Sequence, residues 1–221
     1  MYALLALTLA SAPCPSGAPL EGGQHRRLEL STGVAHTWCR GRFDRVVFYV
    51  HGYRDTVDSA FEQHQLAKQF AESRSPALFV AVDAPAGDEE GVSFPDLDAL
   101  SAELSRALKL TLPNRTTLMG HSGAHRTLRA WLSSARATDV VLLDGFYGDG
   151  ATWTKWLERP GTSLRLVGQA TWDAGEAWRS ALPNPLRKKV THVRAGVTHM
   201  EIVTAGDWIP RILHTALVDE S

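Results

Sequence analysis

Short runs of apolar and β-branched residues recur along the chain, spaced so that a helix fits between most neighbouring pairs. Residues 46–50 (VVFYV), 78–82 (LFVAV), 116–119, 140–143 (VVLL), 164–167 and 191–195 form six of them. Runs that are apolar at successive positions predict strands covered on both faces, as in a parallel sheet. An earlier pair, 28–30 and 34–39, split by Ser31-Thr32-Gly33, predicts an opening hairpin. Between the runs, Leu97, Leu100, Leu104, Ala107 and Leu108 fall on one stripe of period 3.6, as do Ala124, Leu128, Trp131 and Ala135. Ile209, Ile212, Leu213, Ala216 and Leu217 repeat the pattern, with Pro210 tolerable in a first turn. Asp58 reads as the cap of a helix carrying Leu66 and Phe70. The alternation predicts α/β architecture, a doubly wound and mostly parallel sheet. Ligands of such sheets bind beyond the carboxyl ends of the strands.

Composition fits one globular domain and narrows the partners. The 221 residues are 44% apolar and 21% charged, without an internal repeat or low-complexity linker. Lys plus Arg number 23 against 24 Asp plus Glu, so no basic surplus exists to neutralise nucleic-acid phosphates. Arg187-Lys188-Lys189 reads as a solvated turn. Residues 1–12 (MYALLALTLASA) are too short to span a bilayer and read as a secretory signal. Cleavage fits better after Ala10 than after Ala12, which Pro13 follows. The expectation is a secreted or periplasmic protein with no stable membrane insertion: signal 1–12, N-terminal arm 13–27, domain 28–221. Cys14 and Cys39 would pair in an oxidising compartment and otherwise stay as two thiols. Two cysteines make neither a zinc ribbon nor an iron–sulfur site, and no cofactor or metal is expected.

The chemistry sits at strand ends. Gly120-His121-Ser122-Gly123-Ala124 nearly matches G-x-S-x-G, a strained strand-to-helix turn that needs small neighbours on either side of its serine. Ser122 is the candidate nucleophile; the alternative is a helix cap. The Gly123 amide, in the first helical turn, is a candidate oxyanion donor. Tyr53 N–H, after His51-Gly52, is the second, unless that segment is only a tight turn. A serine needs a base, and His199 lies on a loop after the last strand. His121 is expected to point away from the serine; His25, His36, His64 and His214 read as surface or packing residues. Asp144 and Asp173 both obey the order Ser, Asp, His. Asp144 is preferred for its tight place at a strand end, and Asp83 reads as structural. A metal site on His121 and His125 would lack the glutamate of H-E-x-x-H and a third ligand.

With these residues in place, the chain from about residue 28 onward resembles the α/β-hydrolase superfamily. The segments Tyr49-Val50-His51-Gly52-Tyr53, His121-Ser122-Gly123-Ala124-His125-Arg126 and Leu142-Leu143-Asp144-Gly145-Phe146-Tyr147-Gly148 are similar to a bacterial branch of secreted hydrolases. Most of the superfamily places its acid after the later strand, which would favour Asp173; lipases of the pancreatic type place it earlier, which favours Asp144. The resemblance implies hydrolysis of an ester, amide or related bond through an acyl-enzyme. The leading expectation is a carboxylesterase or lipase-like enzyme acting on short to medium acyl esters. The alternatives are a peptidase or amidase using the same residues, and a non-catalytic binding module on the hydrolase fold. Only about twenty residues separate Asp144 from the strand at Leu164, so no large cap is expected and the cleft should be open. Trp153, Trp156, Trp172 and Trp178 would line that cleft or pack helices on the sheet, and Tyr53, Tyr147 and Trp172 would frame it.

Overall fold

The computed structural model describes residues 11–214. Its strands are β1 (Ala12–Pro13), β2 (Ala18–Leu20), β3 (Gly23–Leu30), β4 (Gly33–Cys39), β5 (Arg42–Phe43), β6 (Arg45–Val50), β7 (Ala77–Val82), β8 (Thr116–His121), β9 (Asp139–Leu143), β10 (Ser163–Gly168) and β11 (Val190–Arg194). The helices are α1 (Val57–Gln63), α2 (Leu66–Glu72), α3 (Leu97–Leu108), α4 (His125–Trp131), α5 (Gly150–Leu157), α6 (Trp172–Ala181), α7 (Asn184–Arg187), α8 (Glu201–Thr204) and α9 (Trp208–His214). Nine strands form one sheet in the order β11-β10-β9-β8-β6-β7-β4-β3-β2. All six predicted apolar runs are there as parallel neighbours, and β4, β3 and β2 extend the sheet antiparallel.

Burial on both faces explains the continuous runs. Val46, Phe48 and Val50 of β6 face a layer holding Leu100, Leu104, Trp131 and Trp153, while Val47 and Tyr49 face one holding Phe61, Phe70, Ile209 and Ile212. Covering a strand in this way removes the polar alternation that a solvated face would impose.

Several boundaries differ from the sequence reading. The hairpin begins at Gly23, so much of the expected arm 13–27 belongs to the sheet as β2 and β3. Its mixed pattern, with Gln24, Arg26 and Arg27, hid a strand near the sheet edge. Helix α1 is capped by Thr56, whose side chain accepts from the Ser59 amide. Asp58 instead lies in the first turn and takes the Arg27 guanidinium and His36 Nε2 (2.7 Å). The helix expected through Phe70 breaks at Gln65, at φ 49°, into α1 and α2. Ala135 lies past α4 and is exposed. Ala216, Leu217 and most of the proposed signal lie outside the described residues.

Cys14 and Cys39 are joined by a disulfide that ties the amino end of the described chain to β4 across 25 positions. Closing a loop of that length restricts the unfolded chain by about 3 kcal/mol. Reduction should therefore lower stability by about that amount, measured as the urea midpoint with and without reductant; an unchanged midpoint would contradict it.

Buried histidines set a second expectation. Burial lowers the pKa of His64 and His36, and it pulls His121 down to about 3. Between the ordinary value near 6.5 and these lowered values, the unfolded chain binds more protons than the native one. Stability must then fall as pH drops below about 6.5, with His121 alone costing about 2 kcal/mol by pH 5. A urea midpoint that stays flat from pH 7 to 5 would contradict this.

Candidate active site

Ser122 follows β8 directly, at the carboxyl edge of the sheet, with φ at 52°. The left-handed backbone costs a non-glycine residue on the order of 1 kcal/mol, and dense surroundings hold it there. A Cβ on Gly120 would fall 2.8 Å from the Ala124 Cβ, so the glycine makes room for the alanine that departs from the motif. One on Gly123 would lie 2.4 Å from the Tyr53 ring, and one on Gly52 3.0 Å from the Ser122 Cβ. Gly145 approaches from the next strand end, its would-be Cβ 3.2 Å from the Ser122 carbonyl oxygen. The loops after β6, β8 and β9 therefore meet at one serine. Arg126 links the loop after β7 to the first of them, donating to the carbonyls of Gly87 (3.0 Å) and Glu90 (2.8 Å) and reaching the Tyr53 hydroxyl at 3.4 Å.

Asp144 directly follows β9, is fully buried and also has positive φ, at 47°. Its Oδ1 accepts from the amides of Gln169 (2.8 Å) and Thr171 (2.9 Å) and from the Thr171 hydroxyl (2.9 Å). Its Oδ2 accepts from the Ala170 amide (3.1 Å) and from His199 Nδ1 (2.7 Å). Burial opposes ionisation, but His199 and the three amides outweigh it and hold the carboxyl well below its ordinary range. Asp173, its competitor in the sequence, is exposed in the first turn of α6.

His199 is positioned from both sides of its backbone. Thr198 and Glu201 exchange hydrogen bonds, the Thr198 amide donating to Glu201 Oε2 (2.8 Å) and the Glu201 amide to Thr198 Oγ1 (3.4 Å). This reciprocal pair stiffens the loop in the manner of a capping box. The His199 carbonyl accepts from His121 Nε2 at 3.0 Å, and the two rings lie 4.5 Å apart. An ionised Asp144 can only accept, so His199 Nδ1 is the donor in this bond, with Nε2 on the far side of the ring.

His121 is the residue that sequence reasoning underrated: it packs against the candidate base. Its buried place at the end of β8 was legible, but its partner, 78 residues later, was not. His125 turns its Nδ1 toward the Ser122 carbonyl at 3.2 Å, so it and His121 address different backbone oxygens. Among the described residues no group of three or more His, Cys, Asp or Glu could hold a metal ion. Tyr147 is half exposed, and its ring is 5.4 Å from His125. His51 donates from Nδ1 to the Gly52 carbonyl (2.7 Å) and accepts the Ala84 amide at Nε2 (3.0 Å). Asp83 accepts the Val34 and Val57 amides at 2.7 and 3.1 Å, the structural place expected of it.

The cleft reading of the tryptophans gives way to packing. Trp153 and Trp156 are buried where α5 meets the sheet, Trp178 lies 4.8 Å from Phe146, and Trp172 stacks on His192 at 4.1 Å. With α5 committed to the core, the connection between β9 and β10 carries no large cap. Among the described residues no helix is long and apolar enough to cross a membrane.

No family model matches the chain, and no curated protein matches it in sequence. Solved structures do match. The Francisella virulence factor BioJ is similar over 89% of this chain and 86% of its own, with a TM-score of 0.61 at 12% identity. The Pyrococcus furiosus esterase Pf2001 matches over 91% and 96%, with a TM-score of 0.55 at 12% identity. A dienelactone hydrolase from Anabaena variabilis matches over 87% and 96%, with a TM-score of 0.56 at 11% identity. At such identities the likeness speaks for the backbone, and the sheet order and these neighbours together give this chain the α/β-hydrolase fold.

Proposed function

We propose that the protein is a serine hydrolase of the ester type, with Ser122 as nucleophile, His199 as base and Asp144 as the carboxylate that orients it. The observation that carries this reading is the 2.7 Å hydrogen bond from His199 Nδ1 to a buried Asp144, at the same sheet edge as a serine at φ 52°. In this scheme His199 Nε2 takes the Ser122 proton as Oγ attacks the substrate carbonyl carbon. The amides of Gly123 and Tyr53 receive the oxyanion. His199 then returns the proton to the departing alcohol, leaving an acyl-enzyme that water, activated by the same imidazole, hydrolyses. The esterase and hydrolase names of the structural neighbours support the ester class. Short to medium acyl esters suit a site flanked by Tyr53 and Tyr147 without a large cap. Amide hydrolysis by the same residues is the second reading, since nothing in the triad chemistry separates the two bonds. The Cys14–Cys39 bridge supports export to an oxidising compartment.

A fluorophosphonate should label Ser122 in the native protein. Ser122→Ala should lose the label and keep its thermal midpoint; labelling that survives this substitution would assign the nucleophile elsewhere.

Asp144→Asn should cut kcat on a soluble short-chain ester by about 10⁴-fold, because an amide can hold the imidazole in the wrong tautomer. Asp173→Asn should leave kcat within about twofold, as expected of an exposed residue outside the unit. The reverse ranking would overturn the assignment of the acid.

A further inference from the structure

The amino-terminal edge of the parallel sheet, opposite Ser122, gathers charge that the sequence disperses. A cavity of about 520 Å³ opens there, with Arg45, Arg115, Arg165, Lys188 and Lys189 on its wall. A second cavity, about 280 Å³, shares Lys188 and Thr191 with it and adds Arg179 and Arg187. Among the described residues lining the two, Asp139 is the sole carboxylate. Seven of the chain's 23 basic residues thus face one groove, although the whole chain is close to neutral. The Arg187-Lys188-Lys189 segment, expected to be a solvated turn, forms part of its wall.

Topology produces the clustering. Arg45 opens β6, Arg115 precedes β8, Arg165 lies near the start of β10, and Lys188 and Lys189 precede β11. Parallel strands bring all their amino ends to one edge, so cations spaced over 145 positions become neighbours.

Several of these cations are held by groups that carry no charge. Lys189 Nζ donates to the carbonyls of Leu157 (2.5 Å) and Arg159 (2.8 Å). Arg45 bonds the Ser75 hydroxyl, and Arg165 Nη1 the Ile212 carbonyl (2.7 Å). Neutral acceptors fix the positions of the cations without cancelling their field. Asp139 offsets one charge, through Arg165 Nη2 at 2.5 Å, while Asp44 lies 3.9 Å from Arg115 and Glu176 3.7 Å from Arg179. Burial first, and then the like charge of Arg115, lower the Arg45 pKa, against the opposing pull of Asp44 and Asp139.

We propose that this double cavity is a binding site for a multiply charged phosphate-bearing anion. Guanidinium groups match phosphate oxygens in pairs, and several cations converging on a concavity favour two or more linked anionic groups over one. The volumes suit a small ligand or one headgroup, and the concave wall does not fit a duplex. The inference is independent of the chemistry proposed for Ser122. Its ligand chemistry has two sources, a soluble oligophosphate or the phosphate headgroup of a lipid.

Titration calorimetry of the full chain with inorganic tripolyphosphate, at 50 and 500 mM NaCl, tests the site. Vesicles of phosphatidylcholine with and without phosphatidylglycerol provide the second arm. Tripolyphosphate should bind, weaken at high salt and weaken about 10- to 100-fold in Arg115→Glu and again in Lys188→Glu, each removing one charged contact. Both residues are exposed, so the variants should keep the native thermal midpoint and native activity on a neutral ester. Ser122→Ala should bind tripolyphosphate as the native chain does, which separates failure of this site from failure of the hydrolase reading. Vesicle binding that tripolyphosphate displaces would assign the headgroup as the source; tripolyphosphate binding alone would assign a soluble one. Absence of binding to either probe, or equal binding by the charge-reversed variants, would overturn the proposal.

Discussion

A carboxylate sealed from water must find all its hydrogen bonds inside the protein, and Asp144 organises the carboxyl edge of the sheet by that requirement. Three consecutive amides, Gln169, Ala170 and Thr171, turn inward after β10 to meet it, with the Thr171 hydroxyl. His199 supplies the fifth donor from a loop 55 residues away. Removing any of these partners would leave part of a buried charge unpaired, which costs several kcal/mol. The loop after β10 and the loop after β11 are thus tied to the end of β9 by one side chain. The positive φ of Asp144 is sustained by the same bonds.

Steric constraint does for Ser122 what hydrogen bonding does for Asp144. Gly52, Gly123 and Gly145 come from three different strand ends, and a Cβ on each would lie 2.4 to 3.2 Å from the serine turn or the ring beside it. The His121 imidazole completes the frame, kept neutral by burial and donating from Nε2 to the His199 carbonyl. Polar satisfaction on one side and glycine packing on the other fix the relative placement of Ser122 and His199. Such rigidity suits the proposed chemistry, which gains most when reacting groups are held before the substrate arrives.

The two edges of the sheet carry opposite electrostatic designs. At the carboxyl edge one buried anion is fully paired; at the amino edge seven cations face a groove with one carboxylate among its walls. Both follow from parallel strand order, which collects strand ends of one polarity on one side.

Local pattern alone determined the six parallel strands, the fold class, the serine turn and the place of His199 after the last strand. Each is written in a contiguous stretch, a continuous apolar run or a five-residue motif, and needs no knowledge of distant partners. Weakly patterned pieces were not legible: β3 mixes charged and apolar residues near an edge, and α1 breaks from α2 at Gln65 for reasons of tertiary packing. The sequence favoured Asp144 over Asp173 without deciding between them, since both follow strands and precede the histidine. Only the pairing of β9 with β10 turned the 169–171 amides onto Asp144 and left Asp173 facing solvent. The contact of His121 with His199, and the gathering of Arg45, Arg115, Arg165 and Lys188, likewise join residues far apart in the chain. Sheet order creates such neighbours, and local periodicity carries no record of it.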